Sequence, residues 1–373
     1  MKLSSQTITV LIISTVTALI AGLFLLFFKS YLIEIPGLII LIPVAMGTRG
    51  AIYGSLGAKL SSALHMGLIN SFSLQNKFLR EKMAKAFKIN IFASFFLSIA
   101  IYGLTFANGI EVNPFFLIST SFLTGIISGG IILFTTYLVA LGSYYRGWDP
   151  DNVTIPIISS FGDLITIPIL LILSVFLIKA PYFVLIIVSA VAIAMSLHFL
   201  KYILGATLAI IIIAIFFDVI AGFLLDKYLE ILLTVPGILI IIPVFLSQGG
   251  SIIGIFSSRL GTRLHLGLST KIRNTFRDGI NVLFLGIIIF SLIVLLAYFA
   301  GIFLNIPVSI EMLFKLSLIG GTSLLFVSLF LAYSISIIAF KYKTDPDNVT
   351  IPIMNSVIDF LGVLFLIIVV NLL

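Results

Sequence analysis

The chain has no cysteine, a single tryptophan and three histidines among its 373 residues, and only 9% of those residues are charged. The missing cysteine removes disulfides, thiolate metal sites and cysteine nucleophiles by residue type, and it leaves the redox compartment unreadable. The scarcity of charge removes a second class. A soluble domain of this length needs far more polar surface, because one core cannot hide a composition that is 61% hydrophobic. With a mean hydropathy of +1.30, the main solvent is lipid. The net charge of +7 does not imply nucleic acid, since the basic residues are few and sit between apolar runs, where membrane topology accounts for them. There is no phosphate loop, no His-Glu-x-x-His and no nucleophile elbow, so nothing points to nucleotide hydrolysis or to an enzyme.

What is there instead is a series of long apolar runs. A helix needs about 20 apolar residues to cross the hydrocarbon. Reading at that length gives spans near 8–28, 36–54, 89–107, 115–141, 153–178, 182–199, 203–225, 236–256, 280–300, 313–340 and 351–372. The first run is too long for a signal peptide and lacks a small-residue cleavage pattern, so it reads as a spanning helix. The expected fold is an all-α polytopic membrane protein with about eleven transmembrane helices.

Self-comparison adds organisation. Asp-Pro-Asp-Asn-Val-Thr-Ile-Pro-Ile occurs at 149–157 and again, letter for letter, at 345–353. At a spacing of 200, Pro36-Gly37 and Pro43-Val44 match Pro236-Gly237 and Pro243-Val244, and Leu64-His65 matches Leu264-His265. The chain therefore divides into a first five-helix unit at 1–180, a linking helix at 181–201 and a second five-helix unit at 202–373. Five spans would invert the second unit, but the linking helix returns the chain to its starting side. The two units are thus expected to be parallel, related by a pseudo-two-fold axis along the membrane normal.

Lys77, Arg80, Lys82, Lys85 and Lys88 lie between spans two and three, and Lys271, Arg273 and Arg277 lie in the matching segment of the second unit. Basic residues accumulate on the cytoplasmic side, which places the amino terminus in the cytoplasm and the carboxyl terminus outside, in a multi-pass protein of the cell membrane.

Acidic residues inside a bilayer are expensive and mark function. Asp163 and Asp359 are repeat partners, each twelve residues beyond the second aspartate of its duplicated motif. That spacing puts each carboxylate roughly 18 Å down its helix, near mid-membrane. Symmetry can bring the two to one axis, where hard oxygen ligands suit a hydrated dication such as Mg²⁺. Separate neutralisation of each aspartate in helix packing is the competing reading. Asp218 is a third buried acid without a partner in the first unit. Asp149, Asp151, Asp345 and Asp347 gather four carboxylates at one mouth, where they attract cations and favour the positive end of the helix; Asn152 and Asn348 are placed to cap it. Pro156 and Pro352 are expected in the first turn.

Span two carries Pro43, Gly47 and Gly50, followed by Ala51; its counterpart carries Pro243, Ser247, Gly250 and Ser251. Such spacing predicts a broken helix whose freed carbonyls line a cavity, with close packing by small residues as the alternative. Arg49, opposite Gly249 in the second unit, is expected to snorkel or to pair with an acid. His65 and His265 read as interfacial rather than as ligands.

Pro43-Val-Ala-Met-Gly47 with Gly50, and Asp149-Pro-Asp-Asn152 leading to Gly162-Asp163, resemble the MgtE magnesium transporters and especially their eukaryotic solute-carrier relatives, over nearly the whole chain. The resemblance implies a cation path lined by the second and fifth helices of each unit, with Asp163 and Asp359 at the metal site. Residues 43, 47, 50, 51, 243, 247, 250 and 251 would line it. Ala51 and Ser251 stand where the family often has Asn, and Ser247 and Ile358 depart from Gly47 and Gly162, so the two halves need not contribute equally. The cargo is then a divalent cation, Mg²⁺ first, and an internal pseudo-dimer has less need of a partner chain. Two readings compete with passive flow: exchange coupled to Na⁺ or H⁺, and, remotely, an intramembrane aspartyl protease in which two aspartates share a proton.

Overall fold

A computed structural model describes residues 5–65, 67, 69, 76–203, 205–265 and 272–372, apart from the side chains of residues 151, 206, 262, 265, 272–276 and 347. Among the described residues every regular element is helical, and eleven helices are long and apolar enough to cross a membrane. They are α1 (Ser5–Phe27), α3 (Leu38–His65), α4 (Lys77–Ala107), α5 (Pro114–Tyr145), α6 (Pro150–Ile178), α7 (Tyr182–Leu200), α8 (Ala206–Lys227), α10 (Ile238–His265), α11 (Ile272–Phe303), α13 (Gly321–Lys341) with its lead-in, and α14 (Pro346–Asn371). Short helices α2 (Lys29–Glu34) and α9 (Leu229–Leu232) occupy matching places after α1 and α8. Helix α12 (Ile310–Phe314) runs through a π-helical turn, Lys315–Gly320, into α13.

Local chemistry fixes the helix starts. Asn76 caps α4 by accepting from the Leu79 amide, and Asn113 caps α5 by accepting from the amides of Phe115 and Phe116, with Pro114 supplying a preset first residue. Gly37 and Gly237, at φ 77° and 81°, turn the chain into α3 and α10 in a conformation that costs a side-chain-bearing residue dearly.

The structure corrects several expectations. Helices α3 and α10 are continuous over 28 residues each, with Pro43 and Pro243 inside, rather than broken. Both proline positions lie near the amino end, five residues after the helix start, and dense packing holds the helix through them. His65 is the last residue of α3, not part of a separate interfacial segment. Likewise Lys77 to Lys88 form the first three turns of α4 rather than a loop. Since α6 begins at Pro150 and α14 at Pro346, Pro156 and Pro352 are interior to their helices, not in the first turn.

Helices α3 and α10 are the centre of the protein: each packs on both α6 and α14. Helix α1 packs on α6 and on α10, whereas α8 packs on α14 and on α3. The first helix of each half therefore reaches across to the second span of the other. Small residues make this crossing possible. A Cβ at Gly22 would overlap the backbone carbonyl of Ile240, and a Cβ at Gly222 would overlap that of Ile40. These four positions are equivalent at a spacing of 200, and small residues at such crossings are how helices approach in lipid, where apolar burial supplies little attraction between them. The outer surface is apolar: Phe176, Leu197 and Phe303 are 71%, 63% and 86% exposed, which only a hydrocarbon surrounding makes favourable.

Gly22→Val and Gly222→Val are therefore expected to destabilise the detergent-solubilised protein, by at least the roughly 1–3 kcal/mol typical of overpacking. Gly103, with open space around it on α4, should accept alanine with an unchanged or slightly raised melting temperature. Thermal unfolding followed by size-exclusion chromatography checks both; equal stability of all three variants would contradict the crossing.

Candidate metal site

Three aspartates lie buried within the spans. Asp163 on α6 is 4% exposed, Asp359 on α14 is 5% exposed and Asp218 on α8 is fully buried. Gly47 on α3 shows how two of them are placed. A Cβ built on Gly47 would overlap Asp359 Oδ2 and Asp218 Oδ1, both within 2.5 Å of that one point, so the two oxygens are no more than about 5 Å apart. A side chain there would have to displace both carboxylates. Thr48, the next residue on α3, donates from Oγ1 to Asp218 Oδ2 at 3.2 Å. Asp218 Oδ1 and Asp359 Oδ2, the two oxygens that face Gly47, have no hydrogen-bond partner among the described residues.

The equivalent arrangement on the other side is different in kind. Position 247, the counterpart of Gly47, is serine; its hydroxyl lies beside Asp163 and 3.2 Å from Ser159 Oγ. Position 18, the counterpart of Asp218, is alanine. Asp218 also has the hydroxyls of Thr48 and Ser356 beside it, so the two sides differ in the number of carboxylates, two at Gly47 and one at Ser247. Asp163 is near enough to Asp359 for their like charges to interact. Among the described residues no three acidic or histidine side chains converge tightly enough to hold a bare ion. Two carboxylates and a retained water shell are what Mg²⁺ tolerates, because it gives up water reluctantly.

Between α3 and α10 the amide of Asn355, one turn before Asp359, lies against both helices. Its Nδ2 donates to the Gly47 carbonyl at 3.1 Å. A Cβ on Gly50 would stand 2.7 Å from Asn355 Nδ2, and one on Gly250 2.9 Å from Asn355 Oδ1. The gap between the paired glycines is therefore filled by one carboxamide. Of the remaining lining candidates, Pro43, Ala51, Pro243 and Ser251 are all buried on α3 and α10.

At the helix mouths the capping is reversed from the expected arrangement. Asn152 Nδ2 donates to Asp149 Oδ2 at 2.7 Å, and Asn348 Nδ2 donates to Asp345 Oδ2 at 2.8 Å; the aspartates precede the helices and the asparagines lie inside the first turn. Asn152 Oδ1 also accepts from Arg259 Nε at 2.9 Å. His65 Nε2 is 3.8 Å from Asp149 Oδ1. The side chains of Asp151, Asp347 and His265 lie outside the described residues. Arg49 neither snorkels nor meets an acid among the described residues. It is 2% exposed, and Nη1 donates to the Ala45 carbonyl at 2.7 Å while Nε and Nη2 have no partner.

The sequence signal for Asp218 was its burial-demanding context alone, a lone acid in an apolar run without a repeat partner. Asn355 gave no signal, because its counterpart is Ser159.

The sequence profile of the MgtE family, described as divalent cation transporter, matches residues 42–173 and matches again at 242–369. Solute carrier family 41 member 2 of Mus musculus is 26% identical over 362 residues, covering 87% of this chain and 62% of that protein. The Gallus gallus member 2 is 27% identical over 365 residues with the same coverage. Solute carrier family 41 member 3 of Mus musculus is 24% identical over 268 residues, covering 66% of this chain and 54% of that protein. The chain thus spans about three fifths of the length of these member 2 relatives. No solved structure matches it. The chain is a multi-pass membrane protein that belongs to the MgtE family of divalent cation transporters.

Proposed function

We propose that the protein carries divalent cations, Mg²⁺ first among them, across the membrane, and that the ion is held between the two halves by Asp359 and Asp218 with Asp163 close by. The observation that carries this reading is the pair of bare carboxylate oxygens at Gly47, buried where lipid surrounds the bundle. Two ionised oxygens about 5 Å apart repel each other by about 3 kcal/mol at an effective dielectric constant near 20, and a dication placed between them turns that repulsion into attraction. Gly47, Thr48, Gly50, Ser247 and Gly250 line the route on either side of the carboxylates. Asn355 closes it in the conformation described, so transport requires α14 to move relative to α3 and α10.

The two family matches, offset by 200 residues at their starts, support two parallel repeats about an axis along the membrane normal, with α7 as the link between 1–180 and 202–373. The lysines of α4 support a cytoplasmic amino terminus and an outward carboxyl terminus. Asp149, Asp151, Asp345 and Asp347, with Asn152 and Asn348, then form the cytoplasmic mouth that concentrates the ion. One chain contains both halves of the site, so a monomer suffices. The reading assigns no enzymatic step to the aspartates.

Three outcomes follow in proteoliposomes reporting Mg²⁺ flux. Asp359→Asn or Asp218→Asn should weaken ion binding by about ten- to a hundredfold, the equivalent of roughly 1.5–3 kcal/mol for a charged polar contact, while the protein keeps its elution profile. Full flux in both variants would refute the site. Gly47→Ala should impair flux as severely, whereas Ser247→Ala should leave most of it; equal effects would show that the two halves are not distinguished as described. Finally, imposing opposing Na⁺ or pH gradients separates the mechanisms. Uptake that is unchanged by either gradient supports uncoupled flow, and a dependence on one of them identifies the coupling ion.

A further inference from the structure

A pocket of about 330 Å³ lies between α3, α4, α8 and α14, away from the gap that Asn355 fills. Its walls are aliphatic, with Ile52, Ile211, Ala214 and Ile215 among them, and its floor is Thr48, the residue that donates to Asp218. Its rim is polar and mostly basic: Lys59, Lys82 and Lys85 stand there with Asp345. Asp345 already accepts from Asn348 as part of the α14 cap. The rim is built where α3 ends and α4, α8 and α14 begin, so it lies at one membrane boundary while the aliphatic walls extend toward mid-membrane.

At the equivalent positions α10 and α1 are bridged by a side-chain hydrogen bond. Gln248 stands at the counterpart of Thr48 and donates from Nε2 to Ser14 Oγ at 3.0 Å, and Ser14 is the counterpart of Ala214. Where one side has a glutamine bonded to a serine, the other has a threonine, an alanine and open volume. A size of this order suits a small ligand or part of a larger one. Aliphatic walls beneath Lys82 and Lys85 fit an acyl chain below and a phosphate above.

We propose that this pocket binds an anionic phospholipid of the adjoining leaflet, with its headgroup phosphate at Lys82 and Lys85 and one acyl chain reaching toward Thr48. A bound chain there abuts the residue that positions Asp218, so the lipid would act on the metal site from its side. Basic pockets between transmembrane helices at a membrane boundary take phosphate headgroups for the same electrostatic reason. The proposal does not depend on transport, because it is read by binding alone.

The test uses the purified full chain in phosphatidylcholine nanodiscs, titrated with phosphatidylglycerol and followed by melting temperature and by native mass spectrometry. A saturable rise in melting temperature with one retained phosphatidylglycerol per chain is expected. Lys82→Gln with Lys85→Gln should raise the half-saturating lipid concentration by about thirtyfold, at the usual strength of a basic residue near an anionic surface. Ala214→Phe, which fills the pocket and leaves the lysines, should abolish retention of the single lipid. The lysine variant lies at the rim and keeps the test valid if the phenylalanine variant does not fold. An equal effect from phosphatidylcholine alone, reproduction of the shift by soluble glycerol phosphate, or unaltered binding in the lysine variant would each overturn the proposal.

Discussion

Two carboxylates pressed toward one glycine, in a bundle whose outside is hydrocarbon, create a demand that the rest of the structure serves. Neither oxygen that faces Gly47 has a hydrogen-bond partner among the described residues, and an ionised carboxylate left so would be costly. On the proposed function, that charge is met by a cation that comes and goes. Helix α3 contributes backbone rather than side chain at the point of contact, Thr48 fixes one carboxylate by its other oxygen, and Asn355 holds α14 to α3 through the Gly47 carbonyl. Each of these contacts crosses from one half of the chain to the other.

That crossing explains why the halves cannot be separated. The first helix of each half packs against the second span of the opposite half, through glycines too tightly placed to admit a methyl group. An interlocked pair can drift apart in sequence at its shared centre without losing either side. The two sides differ there: Ser247 stands at the counterpart of Gly47, Gln248 of Thr48, Gly249 of Arg49 and Asp218 of Ala18. The outcome is a lopsided centre, with two carboxylates at Gly47 on one side and one beside Ser247 on the other, and a pocket reaching Thr48 where the counterpart Gln248 is bonded to Ser14. A strictly symmetric pair would have to move in concert, whereas a lopsided one can hold an ion to one side.

Much of this was legible beforehand because lipid makes strong demands of a sequence. All eleven spans were readable from apolar length, since a helix must cross the bilayer with its backbone satisfied. The burial of Asp163 and Asp359 was readable from a duplicated motif that fixed their depth. The limits came where packing overrides local preference. Pro43 and the glycines of α3 spell a break by propensity, but a helix enclosed by α6, α8 and α14 stays whole, and its glycines serve contact with neighbours. Charged ends were misread as loops because Lys77 to Lys88 can extend a helix into the polar boundary at no cost to the span. The meeting of Asp218 with Asp359 is a tertiary fact about helices 140 residues apart, and no local pattern announces it; Asn355 escaped notice because its repeat partner is a serine.

The central claim is that a dication rests between Asp218 and Asp359 against the Gly47 backbone. Manganese, with the same preference for oxygen ligands and a measurable anomalous signal, reports its position directly. An anomalous difference map of Mn²⁺-soaked crystals should place one peak between those two carboxylates, and the peak should vanish in Asp218→Asn. A peak confined to the mouth aspartates at 149 and 345, or an empty centre at saturating Mn²⁺, would contradict the account.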